Sequence, residues 1–343
     1  MIKLSRDIGI DLGTANVLVY LDGRGIVVNE PSAVALDKNT GKVLEVGAAA
    51  KKMLGRTPGN IVAARPLERG AISDYDMTAT MLSVYLRRIT KMSLVKPRVV
   101  VSVPSGITEV EERAVIQATM EAGARRVYLL EEPLAAAIGA GMNIKGAGGS
   151  MVIDIGGGTT DIAVLSLNNV VRSTSIDAAG DAFDNAIIQY IRERYQVLVG
   201  NQTAEEIKMA IGCVNPRPEA LVMTVKGRNL SSGLPQEVDV TSVDVMHALT
   251  TPCRDILYAV RTILEKTDPE LVADISKNGI TLTGGGSLLY GFDQLIYRST
   301  GIACHVADDA ILCVALGCGK ALKWIDEMQE GTVNFARQKL MEE

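Results

Sequence analysis

The chain has 343 residues, 47% hydrophobic and 22% charged, enough apolar material for a large buried core in one big or two closely joined domains. Lys+Arg 35 against Asp+Glu 40 gives a formal net charge of −5, which argues against a broad basic face and so against nucleic acid as a partner. Five cysteines without a C-x-x-C spacing, and only two histidines, His247 and His305, disfavour a disulfide framework, a zinc site and a Ser-His-Asp triad.

Met1–Asp7 has no apolar core of signal-peptide length, and no later run reaches the roughly 18 apolar residues needed to cross a bilayer, so a reducing cytoplasm is expected. From Ile8 to Val19 the chain reads strand, Asp11, Gly13, Thr14, Ala15, Asn16, strand, with a third strand-like run at Gly25–Val28. Residues 31–74 are mixed, with a helix-like stretch at Ala48–Leu54. Tyr75–Lys91 is predicted as a helix, because Met77, Met81, Leu82, Tyr85, Leu86 and Ile89 make one apolar stripe. Directly after it, Met92, Leu94 and Val95 sit between Arg87, Arg88, Lys91 and Lys96. Such a loop either dips into an anionic membrane surface or packs into the core, and both readings stand. Arg98–Val103 is a strand closed by Pro104, Thr108 and Glu111 form a capping box opening a helix to about Ala124, and Val127–Leu130 is the next strand. Pro133 suits the first turn of a helix through Ile138. Residues 143–149, with three glycines, read as a linker between halves.

The plan then repeats. Ser150–Ser166 is a hairpin with Asp154, Gly156, Gly157, Gly158, Thr159 and Thr160 at its turn, and Val170–Thr174 is a third strand. A helix from Asp181 to about Tyr195 follows, then a second capped by Thr203 with Glu206 at its third position. Short strands at Leu221–Val225 and Val238–Val240 flank a polar segment, and a helix runs from about Ser242 to Thr267. Gly279–Thr283 leads into Gly284, Gly285, Gly286 and Ser287, the last read as a helix N-cap. Ala310–Ile325 is a helical run expected to pack back on the first half, and residues 331–343 have too little pattern to place.

A unit used twice, about half the chain apart, sets the two glycine turns on either side of one cleft. Glycines let a phosphate approach several backbone N–H groups, the threonines add hydroxyl donors, and Asp154 is within reach of a phosphate-bound magnesium, directly or through water. The third glycine cluster suits a flat adenine and its ribose. No G-x-x-x-x-G-K-[ST] occurs, so hairpin amides must replace a P-loop. Splitting a phosphoanhydride needs a group to orient water. Glu131 and Glu132 end a buried strand; Glu132 precedes Pro133, which keeps it out of helical geometry and points it towards the cleft, unless it merely caps the next helix.

Asp11-Leu-Gly13-Thr14, Asp154-Ile-Gly-Gly-Gly158-Thr159 and Thr283-Gly-Gly-Gly286 resemble the two phosphate motifs and the adenosine motif of the actin-like ATPase superfamily. Ala50–Ile61, Arg65-Pro-Leu, Gly70–Asp76, Pro104–Thr108 and Glu131–Gly141 narrow the resemblance to the MreB family of bacterial actins, over Ile8 to Ile325. The resemblance implies an α/β actin-like ATPase fold with two similar halves, each a mixed sheet flanked by helices. The first half would span residues 1–145, with a small subdomain about 32–74, completed by a C-terminal helix 310–330; the second would span 146–309, with a small subdomain about 181–240. It also implies ATP and Mg as cofactors. Gly13, Thr14, Ala15, Asn16, Gly156, Gly157, Gly158, Gly284, Gly285, Gly286 and Ser287 would bind the nucleotide. Glu205, Glu206, Ile207 and Lys208 match a helix that contacts the nucleoside; by themselves they read equally as a surface charge pair. Asp11 and Asp154 would hold magnesium through water, and Glu132 would position the attacking water with Asp154 and Thr159 or Thr160. Ala178-Ala179-Gly180 stands where the family usually shows two glycines before the aspartate.

Further implications are a homopolymer of paired protofilaments, peripheral attachment to the inner face of the cytoplasmic membrane, cell-elongation membrane proteins as partners, and direction of cell-wall synthesis. The main alternative is a nucleotide-binding polymer scaffold with little or no hydrolysis. A chaperone domain is expected to continue into a peptide-binding domain, and a sugar kinase to carry a base beside a sugar pocket.

Overall fold

The repeated strand-turn-strand unit folds twice into the same sheet. In the computed structural model, which describes residues 7–91 and 95–326, Ile8–Leu12, Asn16–Leu21 and Gly25–Pro31 form an antiparallel meander. Arg98–Val103 and then Arg126–Glu131 extend it in parallel on the Ile8 side. Ser150–Ile155, Thr160–Ser166 and Asn169–Ile176 repeat the meander, and Ile280–Thr283 and Cys304–Val306 repeat the parallel extension. Five strands per sheet in the same order make mixed sheets, whose near-continuous apolar runs are buried by helices on both faces.

Each half has its own core. Ile8, Ile10, Val99, Val101, Met81, Leu82 and Leu86 belong to the first, and Met151, Ile153, Phe183, Ile187, Ile256 and Phe292 to the second. A third cluster joins them: Val100 and Tyr128 from the first sheet, Val152 and Leu165 from the second, and Val314, Cys318 and Leu322 from the C-terminal run. That run is 3₁₀ at Ala310–Leu312, α-helical over Cys313–Ala321, then 3₁₀ to Trp324. Its helix meets Glu132–Gly139 backbone to backbone: a Cβ on Gly139 would collide with Cys313 O, and one on Gly317 with Ala135 O. The base of the cleft is therefore sealed by apolar packing that admits no added carbon.

The smaller sheets sit above. Val43–Val46, Val34–Asp37 and Ile61–Ala64 form one; Val197–Leu198, Val222–Asn229 and Pro235–Thr241 form the other. The polar segment expected between two short strands is thus mostly strand, a hairpin whose outer face meets solvent and needs no apolar residues. The helix expected over 242–267 is two, Ser242–Ala248 and Thr250–Glu265, the first opened by a Thr241–Asp244 capping box. The helix carrying Lys208 starts at Asn201 rather than after Thr203. Tyr75–Thr90 and Glu109–Glu121 are helical, the second with both capping-box bonds between Thr108 and Glu111. Of the loop read as a membrane contact, Met92 and Leu94 lie outside the described residues and Val95 is half-buried. Residues 327–330 of the expected C-terminal helix lie outside them too. Among the described residues, no helix is long and apolar enough to cross a membrane.

Candidate active site

The two glycine turns meet. A Cβ placed on Gly157 would lie 2.6 Å from the Cβ of Ala15, and one on Gly158 would lie 2.5 Å from Thr14 Oγ1 and 3.0 Å from Arg69 N. Only glycine permits such an approach, and it brings the two turns onto one space. That space is a cavity of about 360 Å³ lined by Asp11, Gly13, Thr14, Ala15, Asn16, Glu132, Asp154, Gly156, Gly157, Gly158 and Thr159. At its other end are Glu205, Lys208, Met209, Arg217, Gly284, Gly285, Gly286, Leu288 and Ile311. The polar end suits phosphates; the glycine and apolar end suits a flat base. A groove of about 980 Å³ along Val171–Ala178 and Thr251–Lys266 is larger but has neither a glycine turn nor a buried cluster of acids. Chemistry, not size, picks the cleft.

Repetition extends to hydrogen bonds that the motifs do not show. Asp11 ends its strand beside Ser102, whose hydroxyl donates to Asp11 Oδ1 at 3.3 Å; Asp154 sits beside Thr283, whose hydroxyl donates to Asp154 Oδ1 at 2.7 Å. Each carboxylate is aimed by a hydroxyl on the neighbouring parallel strand. Sequence reasoning missed Ser102, and read Thr283 only as part of a glycine motif. Superposing Arg98–Val103 on Ile280–Thr283 as the fourth strand of each repeat would have exposed the pair.

Four carboxyl groups crowd the phosphate end. Burial, then the charge of Asp154, pushes Asp11 up to about 7, against the Ser102 hydroxyl. Burial pushes Asp154 up to about 6, opposed by Thr283. Asp161, fully buried, is raised to about 7 by burial although Ser105 N–H donates to its Oδ1 at 2.8 Å. Glu132 is raised well above the usual carboxylate range by burial and then by the charges of Asp161, Asp11 and Asp154. The sequence motifs contain Asp161 and Ser105 but give neither a role.

Such crowding fits a divalent cation and a polyphosphate between the loops. Among the described residues no three His, Cys, Asp or Glu side chains converge closely enough to cage an ion. The donor set therefore suits magnesium held mainly by phosphate and water, with Asp11 and Asp154 as outer partners.

Not every residue singled out reaches the cavity. Thr160 is fully buried and its hydroxyl donates to Ala178 O at 2.6 Å, so Thr159 is the threonine facing the cleft. Ser287 turns inward to Gly284 O at 2.6 Å, inside a 3₁₀ turn capped by Gly284 rather than at a helix start. In the helix Asn201–Ile211, Glu205 and Lys208 face the cavity, whereas Ile207 is in the second core and Glu206 is exposed. A spacing of three puts only one pair on one face. Lys208 Nζ lies 2.9 Å from Asp184 Oδ1 and donates to Gly180 O at 3.0 Å; burial still pushes Asp184 up to about 6 against the pull of that ammonium. Glu132 is the first residue of its helix, and Glu131 before it is extended, φ −61° and ψ 134°. The expected extended geometry thus falls one residue earlier, because Pro133 in a first turn forfeits no hydrogen bond. Glu132 still faces the cleft, at 8% exposure.

The profile of the MreB/Mbl protein family matches residues 5–330. Among curated relatives, the cell shape-determining protein Mbl of Bacillus subtilis (strain 168) is 49% identical over 325 residues, 94% of this chain and 98% of the relative. The cell shape-determining protein MreB of Escherichia coli (strain K12) is 50% identical over 328 residues, 94% of each. Among solved structures, MreB5 of Spiroplasma citri bound to ADP superposes with a TM-score of 0.90 at 38% identity, covering 94% of this chain and 98% of that one. The same protein bound to AMPPNP gives 0.90 and 38%, covering 95% and 98%.

Proposed function

This chain belongs to the MreB/Mbl family of actin-like, shape-determining bacterial proteins, and on that premise we propose that it binds ATP with magnesium between its halves, hydrolyses it slowly and assembles into filaments. The observation that carries this reading is the contact of the two glycine turns, Gly157 against Ala15 and Gly158 against Thr14, over a cluster of buried acids.

The protein's own groups divide the work. Amides of Gly13–Asn16 and Gly157–Thr159 would hold the phosphates from both sides and fix the terminal phosphoryl in place. Glu132, at the closed base of the cleft, orients the attacking water and accepts its proton, with Thr159 helping to place it. Magnesium, when bound, neutralises phosphate charge and lowers the energy of ionised carboxylates around it. Lys208 and Glu205 would contact the nucleoside, and Met209, Leu288 and Ile311 would offer it apolar surface.

Membrane attachment through the loop about Val95, partnership with cell-elongation proteins and direction of wall synthesis belong to the same proposal. Support for them is the family membership and the basic residues Arg87, Arg88, Lys91 and Lys96 around three apolar side chains. A filament would multiply weak single-loop contacts into firm attachment. Liposome pelleting of a Met92, Leu94, Val95 triple serine variant tests this, and undiminished binding rules the loop out.

One observation favours a second reading, a scaffold that binds ATP without appreciable turnover: burial and the charges of Asp161, Asp11 and Asp154 raise Glu132, which disfavours the ionised form a base needs. Light scattering and phosphate release, followed together with ATP, ADP and a non-hydrolysable analogue, decide between the two. Assembly accompanied by phosphate release supports the ATPase; assembly without release supports the scaffold.

A further inference from the structure

Besides the apolar packing between the two halves, three ion pairs join them. Lys51 Nζ, just past the first small sheet's second strand, lies 2.6 Å from Glu205 Oε2 on the helix Asn201–Ile211. The Lys51 carbonyl also accepts from Gln202 Nε2 at 2.8 Å. Arg65 Nη1 lies 2.7 Å from Asp181 Oδ1, and Arg69 Nη1 lies 3.3 Å from Asp177 Oδ2. Every cation comes from residues 51–69 of the first half and every anion from residues 177–205 of the second. The first two pairs are half-buried; the third is exposed.

These pairs are joined to the phosphate loops. Arg69, at φ 50°, and Gly70, at φ 74°, form the turn of the ribbon Leu67–Glu68 and Ala71–Ile72. Gly70 N–H donates to Thr14 Oγ1 at 3.0 Å, and the Arg69 backbone presses on Gly158. Asp177 and Asp181 flank Ala178-Ala179-Gly180, whose Gly180 packs on Gly157. Glu205 is one turn from Lys208 on the cavity wall. Any motion that separates residues 51–69 from residues 177–205 breaks all three pairs.

We propose that Lys51–Glu205, Arg65–Asp181 and Arg69–Asp177 form an electrostatic strap across the cleft mouth that sets how fast nucleotide enters and leaves. This rests on the cleft being the nucleotide site. A lone exposed ion pair contributes little, but a set spanning one gap between two bodies acts jointly on a single opening motion. Of the six paired side chains only Glu205 lines the cavity, so the strap acts on the opening motion rather than on the bound molecule. Loosening it raises entry and exit rates together and leaves affinity nearly unchanged. A side chain that contacts nucleotide behaves differently: its loss speeds exit alone and weakens affinity.

Stopped-flow measurement of a fluorescent N-methylanthraniloyl ATP with magnesium, on the full chain, tests the proposal with Lys51→Ala combined with Arg65→Ala, and with Arg65→Asp, Asp181→Arg and the two together. The alanine pair is expected to raise exit at least tenfold and entry in the same direction, with Kd changed less than threefold. Each charge reversal alone is expected to speed exit, and the swap to bring it back towards the parent rate. In the unaltered protein, exit should quicken severalfold between 10 and 150 mM salt as the Debye length contracts from about 30 to about 8 Å. Exit rates that ignore both salt and substitution overturn the strap, as does faster exit with a matching loss of affinity. Salt dependence needs no variant, so a misfolded mutant cannot rescue or sink the proposal. If the unaltered protein fails to bind the probe at all, the nucleotide reading itself falls; binding with unchanged rates defeats the strap alone.

Discussion

Replacing Asp154 by Asn is expected to stabilise the nucleotide-free protein while removing its response to magnesium-ATP. Asp154 is 4% exposed, and burial raises its pKa from 3.8 to about 6. Because the folded value lies above the unfolded one, the associated stability is fully present below pH 3.8 and is lost as pH rises through about 6. A shift of about 2 units at 1.36 kcal/mol each means the ionised group costs the fold about 3 kcal/mol at pH 8. Asn carries no charge, and its Oδ1 can still accept the Thr283 hydroxyl that Asp154 receives at 2.7 Å. At about 2.1 cal/mol/K of unfolding entropy per residue, a chain this long gains about 4 °C from 3 kcal/mol. The assay is thermal unfolding at pH 8 with and without magnesium-ATP. The parent should gain about 2.7 kcal/mol, again about 4 °C, at a hundredfold excess of ligand over Kd. Asp154→Asn should start higher and gain little, and the difference between the free proteins should close towards pH 4. A variant that melts below the parent without ligand, or that keeps the full magnesium-dependent gain, would refute the reasoning.

Glu132→Gln is expected to slow single-turnover phosphate release by 10²–10⁴-fold with nucleotide affinity within threefold of the parent. In the parent, burial and neighbouring charges raise Glu132, so release should climb as pH rises, and release that falls as pH rises excludes it as the base. Thr160→Val leaves the Ala178 carbonyl without its donor and should cost about 1–3 kcal/mol of stability with hydrolysis little changed. Thr159→Val should do the reverse, lowering phosphate release at nearly constant melting temperature; the opposite ranking would exchange their roles. Gly157→Val drives a branched side chain into Ala15, so calorimetric titration should show at least tenfold weaker nucleotide binding, and parental affinity would mean the turns part freely.

What the sequence alone determined is whatever lives within a few residues. Asp11 with Gly13 and Asp154 with Gly156–Gly158 announced two strand-turn-strand units because turn glycines and alternating strands are local chemistry. The Thr108–Glu111 box and the stripe along Tyr75–Thr90 were equally legible, since a capping bond spans three residues and a helical face repeats every three or four. Tertiary structure alone decided which groups meet. Ser102 reaches Asp11 across 91 residues, Thr283 reaches Asp154 across 129, and Arg65 reaches Asp181 across 116. It also turned Thr160 inward to Ala178 and Ser287 to Gly284, choices that a hydroxyl's own sequence neighbourhood leaves open. Local pattern selects backbone conformation through sterics and short-range hydrogen bonds. Partnership across a cleft depends on how two sheets and their helices pack, and that is settled only when the whole core forms.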